Sequence, residues 1–236
     1  MNSTFNALLV AALSIGCVHT LIGQDHYVPF VMIGRAKRWT TTKTLGFTFL
    51  CGMAHVLSSV VLGLVGIAFG VALARLKWIE SVRGNLASWA LIAFGLAYFV
   101  WGMKPVLRAR QHAHPHAHED GHVHRHTHAH VHGHVHVHGA DAHSVTPWIL
   151  FTIFVLGPCE PLIPLLMYPA AKSSTAGLVA VTAVFGTATL LTMMAVTGLI
   201  LTGWKRLPLQ ALEKYSHAIA GAVIFITGLV IRALEH

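Results

Sequence analysis

Long apolar runs separated by short polar connections dominate this chain. Six windows are long enough to cross a bilayer, which takes about 20 mostly apolar residues. They cover approximately residues 4–23, 45–72, 86–103, 147–169, 175–203 and 216–234. The second and fifth windows exceed the length of a straight crossing, so a tilt or kink is expected there. The pattern predicts an all-α integral membrane protein with six transmembrane helices.

A weak internal repeat relates the two halves of the chain. Residues 25–29 match 160–164, 51–55 match 185–189, and 94–96 match 227–229, at offsets of 135, 134 and 133. The alternative explanation is the generic composition of membrane helices. Because three spans per copy is an odd number, the second copy would be inverted. We therefore predict two three-helix inverted repeats, residues 1–104 and 147–236, joined by a loop over 105–146.

The repeat also predicts where the helices are interrupted. Gly157, Pro158 and Pro161 lie close together in the fourth window, and proline removes a backbone donor and clashes with the preceding turn. Backbone broken at membrane depth is tolerated where it is buried in protein or lines a wet cavity. The first and fourth helices are therefore predicted to be broken, with a binding site near the midplane.

A histidine-rich segment separates the two halves. Fourteen of the nineteen histidines lie between His112 and His143, mostly at every second position. Neutral imidazole is a common ligand for transition metals, although a polar spacer without a metal role has a similar composition. With so little apolar mass the loop is expected to be disordered without metal. The predicted loop ligands are His112, His114, His116, His118, His122, His124, His126, His128, His130, His132, His134, His136 and His138.

Composition and charge agree with a multi-pass protein of the inner membrane. The chain is 55% hydrophobic and 10% charged, against about 25% charged residues in soluble domains. Eleven Lys and Arg residues fall in the connections after the first, third and fifth windows, and five fall elsewhere. The positive-inside rule then places the His-rich loop in the cytoplasm and both termini outside. Anionic lipid headgroups account for the net charge of +8 without a nucleic-acid partner.

Polar residues inside the windows are the candidate transport site. Asp25 and Glu160 are predicted to be the two acids inside or at the edge of a span, and ionisable groups there are functional candidates. Carboxylate, imidazole and thiolate together form a transition-metal ligand set. A membrane histidine can also be a hydrogen-bonded packing residue, and a cysteine a small apolar filler. The candidate metal ligands are Asp25, His26, His55, His19, Glu160 and Cys159.

These residues resemble motifs of a known family. His19 followed by Asp25 and His26 resembles the His-x4-Asp-His signature of the nickel/cobalt transporters, and residues 54–61 resemble their second conserved helix. The nearer likeness is to the urease-accessory-type and nickel/cobalt-efflux branch of the superfamily that includes lysine exporters and thiol-electron carriers. The motifs cover residues 19–30, 51–61 and 157–164. One departure is that five residues separate His19 from Asp25, which turns His19 by about 100° in a continuous helix.

The resemblance implies a transporter, not an enzyme, that exports nickel or cobalt by alternating access and has no tightly bound cofactor. The ligand types alone also suit zinc and copper. Two other functions remain open at this point. Cys17, Cys51 and Cys159 all fall in predicted spans, so a cysteine pair could carry electrons across the membrane. Export of sulfite or a small organic anion is the other, which Asp25 and Glu160 oppose unless they are protonated.

Overall fold

The part of the chain that the structure describes is almost entirely helical. The computed structural model describes residues 3–108, 115–117, 123–125, 142–172, 174–204 and 210–234. The helices are α1 (Ser3–Ile22), α2 (Val28–Ala36), α3 (Thr41–Ala68), α4 (Leu73–Arg108), α5 (Ala142–Leu156), α6 (Leu162–Ala171), α7 (Thr175–Trp204) and α8 (Ser216–Leu234). Two short 3-10 helices are also present, Gln24–His26 and Gln210–Tyr215. The predicted all-α class is therefore confirmed.

The helices are those of a multi-pass membrane protein. In the described part of the chain, five are long and apolar enough to cross a bilayer: α1, α3, α4, α7 and the helix that ends at Leu234. The predicted fourth span, residues 147–169, consists of two shorter helices, α5 and α6, and is not among these five. Large apolar side chains such as Leu57, Leu191 and Leu199 point outward and are more than half exposed, as expected of surfaces that face lipid.

Both predicted helix interruptions are present. The first break, residues 23–27, separates α1 from α2, and the second break, residues 157–161, separates α5 from α6. Pro29 and Pro164 follow the two breaks and lie in the first turns of α2 and α6. Proline is well tolerated there because the first backbone N–H groups of a helix have no intrahelical partner. The two prolines therefore begin short helices and do not kink longer ones.

The two halves pack reciprocally. Helix α1 packs on α7 and α5 packs on α3, while α2 contacts α8 and α6 contacts α4. Helices α3 and α7 contact each other, and so do α4 and α8. Glycines bring α4 and α8 together closely: a Cβ atom on Gly95 would overlap the backbone of Phe225, and one on Gly221 would overlap the backbone of Phe99. Small residues at such crossings are typical of membrane helices.

The helix of the third predicted span, α4, begins earlier than the sequence predicts. Helix α4 starts at Leu73, whereas the apolar window starts at residue 86. Its first turns carry Glu80, which is completely buried, and Arg83, whose side chain is 16% exposed. The prediction that Asp25 and Glu160 are the two intramembrane acids is therefore wrong. Four charges in a short stretch lowered the hydropathy there and hid the start of the span.

A few residues of the His-rich loop are described. Strands β1 (Pro115–Ala117) and β2 (Val123–Arg125) pair antiparallel, with His116 opposite His124. The sequence predicts no ordered structure for this segment, and α5 begins at Ala142, inside the predicted loop. The other predicted loop ligands, and the prediction of disorder for the segment around them, lie outside the described residues.

Candidate metal centre

Three histidines from separate elements meet inside the bundle. His19 lies near the end of α1, His26 lies in the first break, and His55 lies in the middle of α3. Each offers a ligand atom, and these atoms lie within 4.8 Å of one another. The imidazole centroids of His19 and His26 are 4.8 Å apart, and those of His26 and His55 are 5.0 Å apart. We refer to these three residues as the three-histidine cluster.

The Nε2 atoms of the cluster have no protein partner. All three are buried, and none has a hydrogen-bond partner among the described residues. A buried polar atom without a partner costs roughly 1–3 kcal/mol, so most such atoms in proteins are paired. Three histidines that each have an unpartnered buried nitrogen, and whose ligand atoms lie within 4.8 Å of one another, are the arrangement expected of a shared ion.

The Nδ1 atoms fix the orientation of two of the rings. His26 Nδ1 donates to the carbonyl oxygen of Gly23 at 3.0 Å, and His55 Nδ1 donates to the carbonyl oxygen of Phe154 at 3.4 Å. Because a carbonyl can only accept, the proton sits on Nδ1 and the lone pair sits on Nε2. Such outer-shell contacts set the tautomer of metal-binding histidines.

Asp25 supplies negative charge beside the cluster. Its Oδ1 lies 3.2 Å from His26 Nδ1, and its side chain is 30% exposed. Asp25 and His55 line a cavity of about 50 Å³, together with Gly157 and Pro158 of the second break. That volume holds a water molecule or a small ion. The cavity therefore joins a carboxylate and an imidazole at a place where both breaks meet.

The spacing of the ligand atoms suits an ion after a small contraction. Imidazole nitrogens bind zinc at about 2.0–2.1 Å, so two of them lie about 3.4 Å apart at the tetrahedral angle. The ligand atoms here lie within 4.8 Å of one another. Binding one ion therefore requires the ligand atoms to approach each other by up to about 1.4 Å, which small side-chain rotations provide. Neutral imidazole also suits nickel, copper and cobalt, so the donor set does not select one of these metals.

The first break brings His19 into the cluster. The family motif has four residues before the acidic position, and five residues separate His19 from Asp25 here. Helix α1 ends at Ile22, where Gly23 N–H donates to the His19 carbonyl oxygen at 2.9 Å. The 3-10 segment Gln24–His26 follows, so the rotation expected of a continuous helix does not apply.

The other predicted ligands lie outside the three-histidine cluster. Glu160 is exposed. Cys159 is completely buried in an apolar group that includes Leu162 and Phe185. Cys51, which no ligand prediction named, packs against Phe154 in another apolar group. All three cysteines are free thiols.

Two residues that contact the second break were not identified from the sequence. Glu80 and Arg83 form an ion pair within α4, with 2.6 Å between Oε1 and Nη1. The sequence does contain a signal for this ion pair: the two residues have opposite charges and are three positions apart, a spacing at which side chains in a helix face each other. Leu76, Glu80 and Ala87, all buried, also follow helical spacing along one face.

Comparison with protein-family models, with curated proteins and with solved structures finds no match for this chain. The likeness to nickel/cobalt transporters therefore rests on the short motifs around His19, His55 and Gly157, and it stays a prediction.

Proposed function

We propose that this protein transports a divalent transition-metal ion across the membrane, with nickel or cobalt as the preferred cargo and export as the direction. The observation that carries the proposal is the three-histidine cluster, whose buried Nε2 atoms have no partner among the described residues. The preference for nickel or cobalt, and for export, comes from the motif resemblance alone.

The cluster has the chemistry of a transit site. Three neutral imidazoles bind a transition metal without adding charge. The Asp25 carboxylate, in contact with His26, offsets part of the charge of a divalent cation, which would otherwise be costly in a low-dielectric region. A site made of few protein ligands also leaves coordination positions open for water, and this favours release.

The arrangement of the helices supports alternating access. Each half contains, in order, a helix, a break, a short helix and two long helices. The helices of one half pack on those of the other in reciprocal pairs. With the broken α5–α6 segment counted as a crossing, each half crosses three times and the second half is inverted. In such transporters the site lies between the repeats, near the broken helices.

The His-rich loop would collect or sense metal on the cytoplasmic side. This side follows from the distribution of Lys and Arg along the chain. His116 and His124 occupy opposed positions in the β1–β2 register. Directly opposed positions bring side chains on one face of a strand pair close together, so an alternating histidine pattern suits shared binding of one ion.

The direct test is ion flux in proteoliposomes that contain the full chain. We would measure flux of nickel, cobalt and zinc, with sulfite as the rival cargo, for the wild type and for the variant His55→Ala. Cys51→Ala is a matched control, because Cys51 lies one helical turn before His55 and is also fully buried. We expect metal flux in the wild type, loss of at least about 90% in His55→Ala on removal of a ligand, and retention in Cys51→Ala.

Two results would contradict the proposal. One is sulfite flux without metal flux in the wild type. The other is wild-type metal flux in His55→Ala at equal protein content. Metal flux that is lost in Cys51→Ala and kept in His55→Ala is a case of the second result, because it places the ligands outside the three-histidine cluster.

A further inference from the structure

The buried ion pair of Glu80 and Arg83 lies against the second break. Glu80 is completely buried and the Arg83 side chain is 16% exposed. Removing two charges from water costs several kcal/mol per ion, and their attraction offsets this when further hydrogen bonds satisfy both groups. Here the further hydrogen bonds run to the neighbouring elements α3 and α5–α6. The pair therefore connects α4 to the interrupted helix.

Arg83 binds the carbonyl groups that the second break leaves free. Its Nη2 donates to the Val155 carbonyl oxygen at 2.8 Å and to that of Gly157 at 3.3 Å. These carbonyls lie at the carboxyl end of α5, where the helix dipole favours a cation. In a continuous helix, Val155 would accept instead from the N–H group of Cys159.

Glu80 binds the donor on the other side of the same break. The Cys159 N–H donates to Glu80 Oε2 at 3.1 Å. The two ends of one missing helical hydrogen bond, the Val155 carbonyl and the Cys159 N–H, are thus satisfied by Arg83 and Glu80. The ion pair takes the place of that hydrogen bond in a region without bulk water, where unpaired backbone groups cost several kcal/mol.

The same contacts reach the three-histidine cluster. Pro158 has no N–H to donate to the Phe154 carbonyl, so that oxygen is left with capacity to accept from His55 Nδ1 at 3.4 Å. Ser58 accepts from Arg83 Nη2 at 2.7 Å and donates to the His55 carbonyl oxygen at 2.8 Å. The end of α5 and the backbone of α3 are therefore held in one network around His55.

We propose that Glu80 and Arg83 are positioning residues of the metal site. Their hydrogen bonds to the backbone of the second break hold it in its observed conformation and thereby fix the orientation of the His55 ligand. Neither residue belongs to the three-histidine cluster. Both act through the Phe154 carbonyl and through Ser58. The part that concerns His55 as a ligand rests on the proposed function, whereas the part that concerns the break stands without it.

Cys159 lies in the second break and is completely buried, so the reactivity of its thiol reports whether the break keeps its conformation. In the full chain with Cys17→Ala and Cys51→Ala, we would measure the rate at which N-ethylmaleimide labels Cys159. Glu80→Gln and Arg83→Gln should raise this rate by at least about tenfold, as expected from loss of a hydrogen bond to a charged group. Lys77→Gln is the matched control, because it removes an exposed cation from the same helix, and should leave the rate unchanged.

Folding must be separated from positioning. A single substitution leaves one buried charge unpaired and can prevent folding. The double variant Glu80→Gln with Arg83→Gln removes both charges and keeps polar groups in place. We expect it to insert and to elute as the wild type does, but to label Cys159 faster.

The orientation of His55 can be read from the cobalt absorption bands of the loaded protein. The spectrum of the full chain, minus that of a variant with all three cluster histidines changed to alanine, isolates the cluster from the loop. We expect these bands to shift or weaken in the double variant and to be unchanged in Lys77→Gln.

Two results would overturn the inference. Unchanged labelling of Cys159 in the double variant overturns the role of the ion pair at the break, and unchanged cobalt bands overturn its role in positioning His55. If the wild type shows no bands, the proposed function fails and the positioning role with it, while the labelling result still decides the role of the pair at the break.

Discussion

His26 and His55 form a T-shaped pair, with ring centroids 5.0 Å apart and ring planes at 86°. Each donates from Nδ1 to a carbonyl next to a break in a helix: His26 to Gly23 in the first break, and His55 to Phe154 at the end of α5. The two interruptions of the fold therefore orient two ligands of one candidate site. Broken helices at this depth are expected to line a binding cavity.

Removal of any one cluster histidine should weaken metal binding strongly. We expect His19→Ala, His26→Ala and His55→Ala each to lower cobalt affinity at this site by more than about 100-fold, which is the upper range for loss of an outer-shell partner alone. Competition with a chelating dye measures the affinity, with the triple alanine variant as blank. Cys51→Ala should bind as the wild type does. Equal affinities in wild type and His26→Ala would exclude the cluster.

Asp25 should tune the site without being essential for folding. Asp25→Asn keeps an oxygen that can accept from His26 Nδ1 but removes the negative charge. We expect a 10–100-fold loss of cobalt affinity, as is typical for an outer-shell carboxylate, and loss of transport with normal insertion. Flux measurements on proteoliposomes of matched protein content check this. An Asp25→Asn variant that transports at the wild-type rate would show that the carboxylate has no part in transit.

Much of this arrangement could be predicted from the sequence because the decisive residues break simple patterns. Gly157 and Pro158 interrupt an otherwise continuous apolar run, and the structure has the second break there. Asp25 and His26 are polar residues at the end of such a run, and they lie beside the cavity and in the cluster respectively. Polarity at membrane depth is costly, so it is a strong signal.

The rest depended on contacts between distant parts of the chain. Arg83 follows Glu80 by one helical turn, and both looked like residues of a polar connection because hydropathy is averaged over a window. Their burial comes from α3, α5 and α6, which the sequence near residue 80 does not encode. The spacing of His19 and Asp25 likewise predicts a rotation of His19 only in a continuous helix, whereas α1 ends at Ile22.

Metal binding at the cluster should be lost as the pH falls. Free imidazole has a pKa of about 6.5, and a protonated ring cannot bind a metal. Binding releases one proton for each ring that is protonated in the free protein, so the logarithm of the affinity should fall with decreasing pH, with a slope of at most about three per pH unit. Cobalt titrations against the triple alanine blank measure the slope. A profile that stays flat from pH 7 down to about pH 3 would exclude imidazole ligands, because burial delays protonation by a few pH units at most.

The crossing of α4 and α8 should tolerate no added side-chain volume. A Cβ atom on Gly221 would overlap the backbone of Phe99, whereas a Cβ atom on Gly46 in α3 would meet nothing within 4 Å. We expect Gly221→Ala to lower the free energy of unfolding by about 1–3 kcal/mol. Gly46→Ala should be neutral or stabilising by up to about 1 kcal/mol, because alanine favours helix. Thermal unfolding in detergent compares them, and equal melting temperatures for the two variants would contradict this packing.

The helical bundle should survive loss of the His-rich segment. The described helices pack against one another and β1 pairs with β2, so deletion of residues 112–138 should shift the melting temperature by less than about 3 °C, or roughly 1 kcal/mol. Six linker residues would remain between α4 and α5, with a reach of about 20 Å. A Gly/Ser segment of the original length is therefore the matched control, because it removes the histidines without shortening the connection. Both variants should transport metal at the wild-type maximal rate, since the transit site lies in the bundle. Both should differ from the wild type in apparent affinity for the metal. Loss of transport in the Gly/Ser variant, with the bundle still folded, would show that the loop histidines are part of the transport path itself.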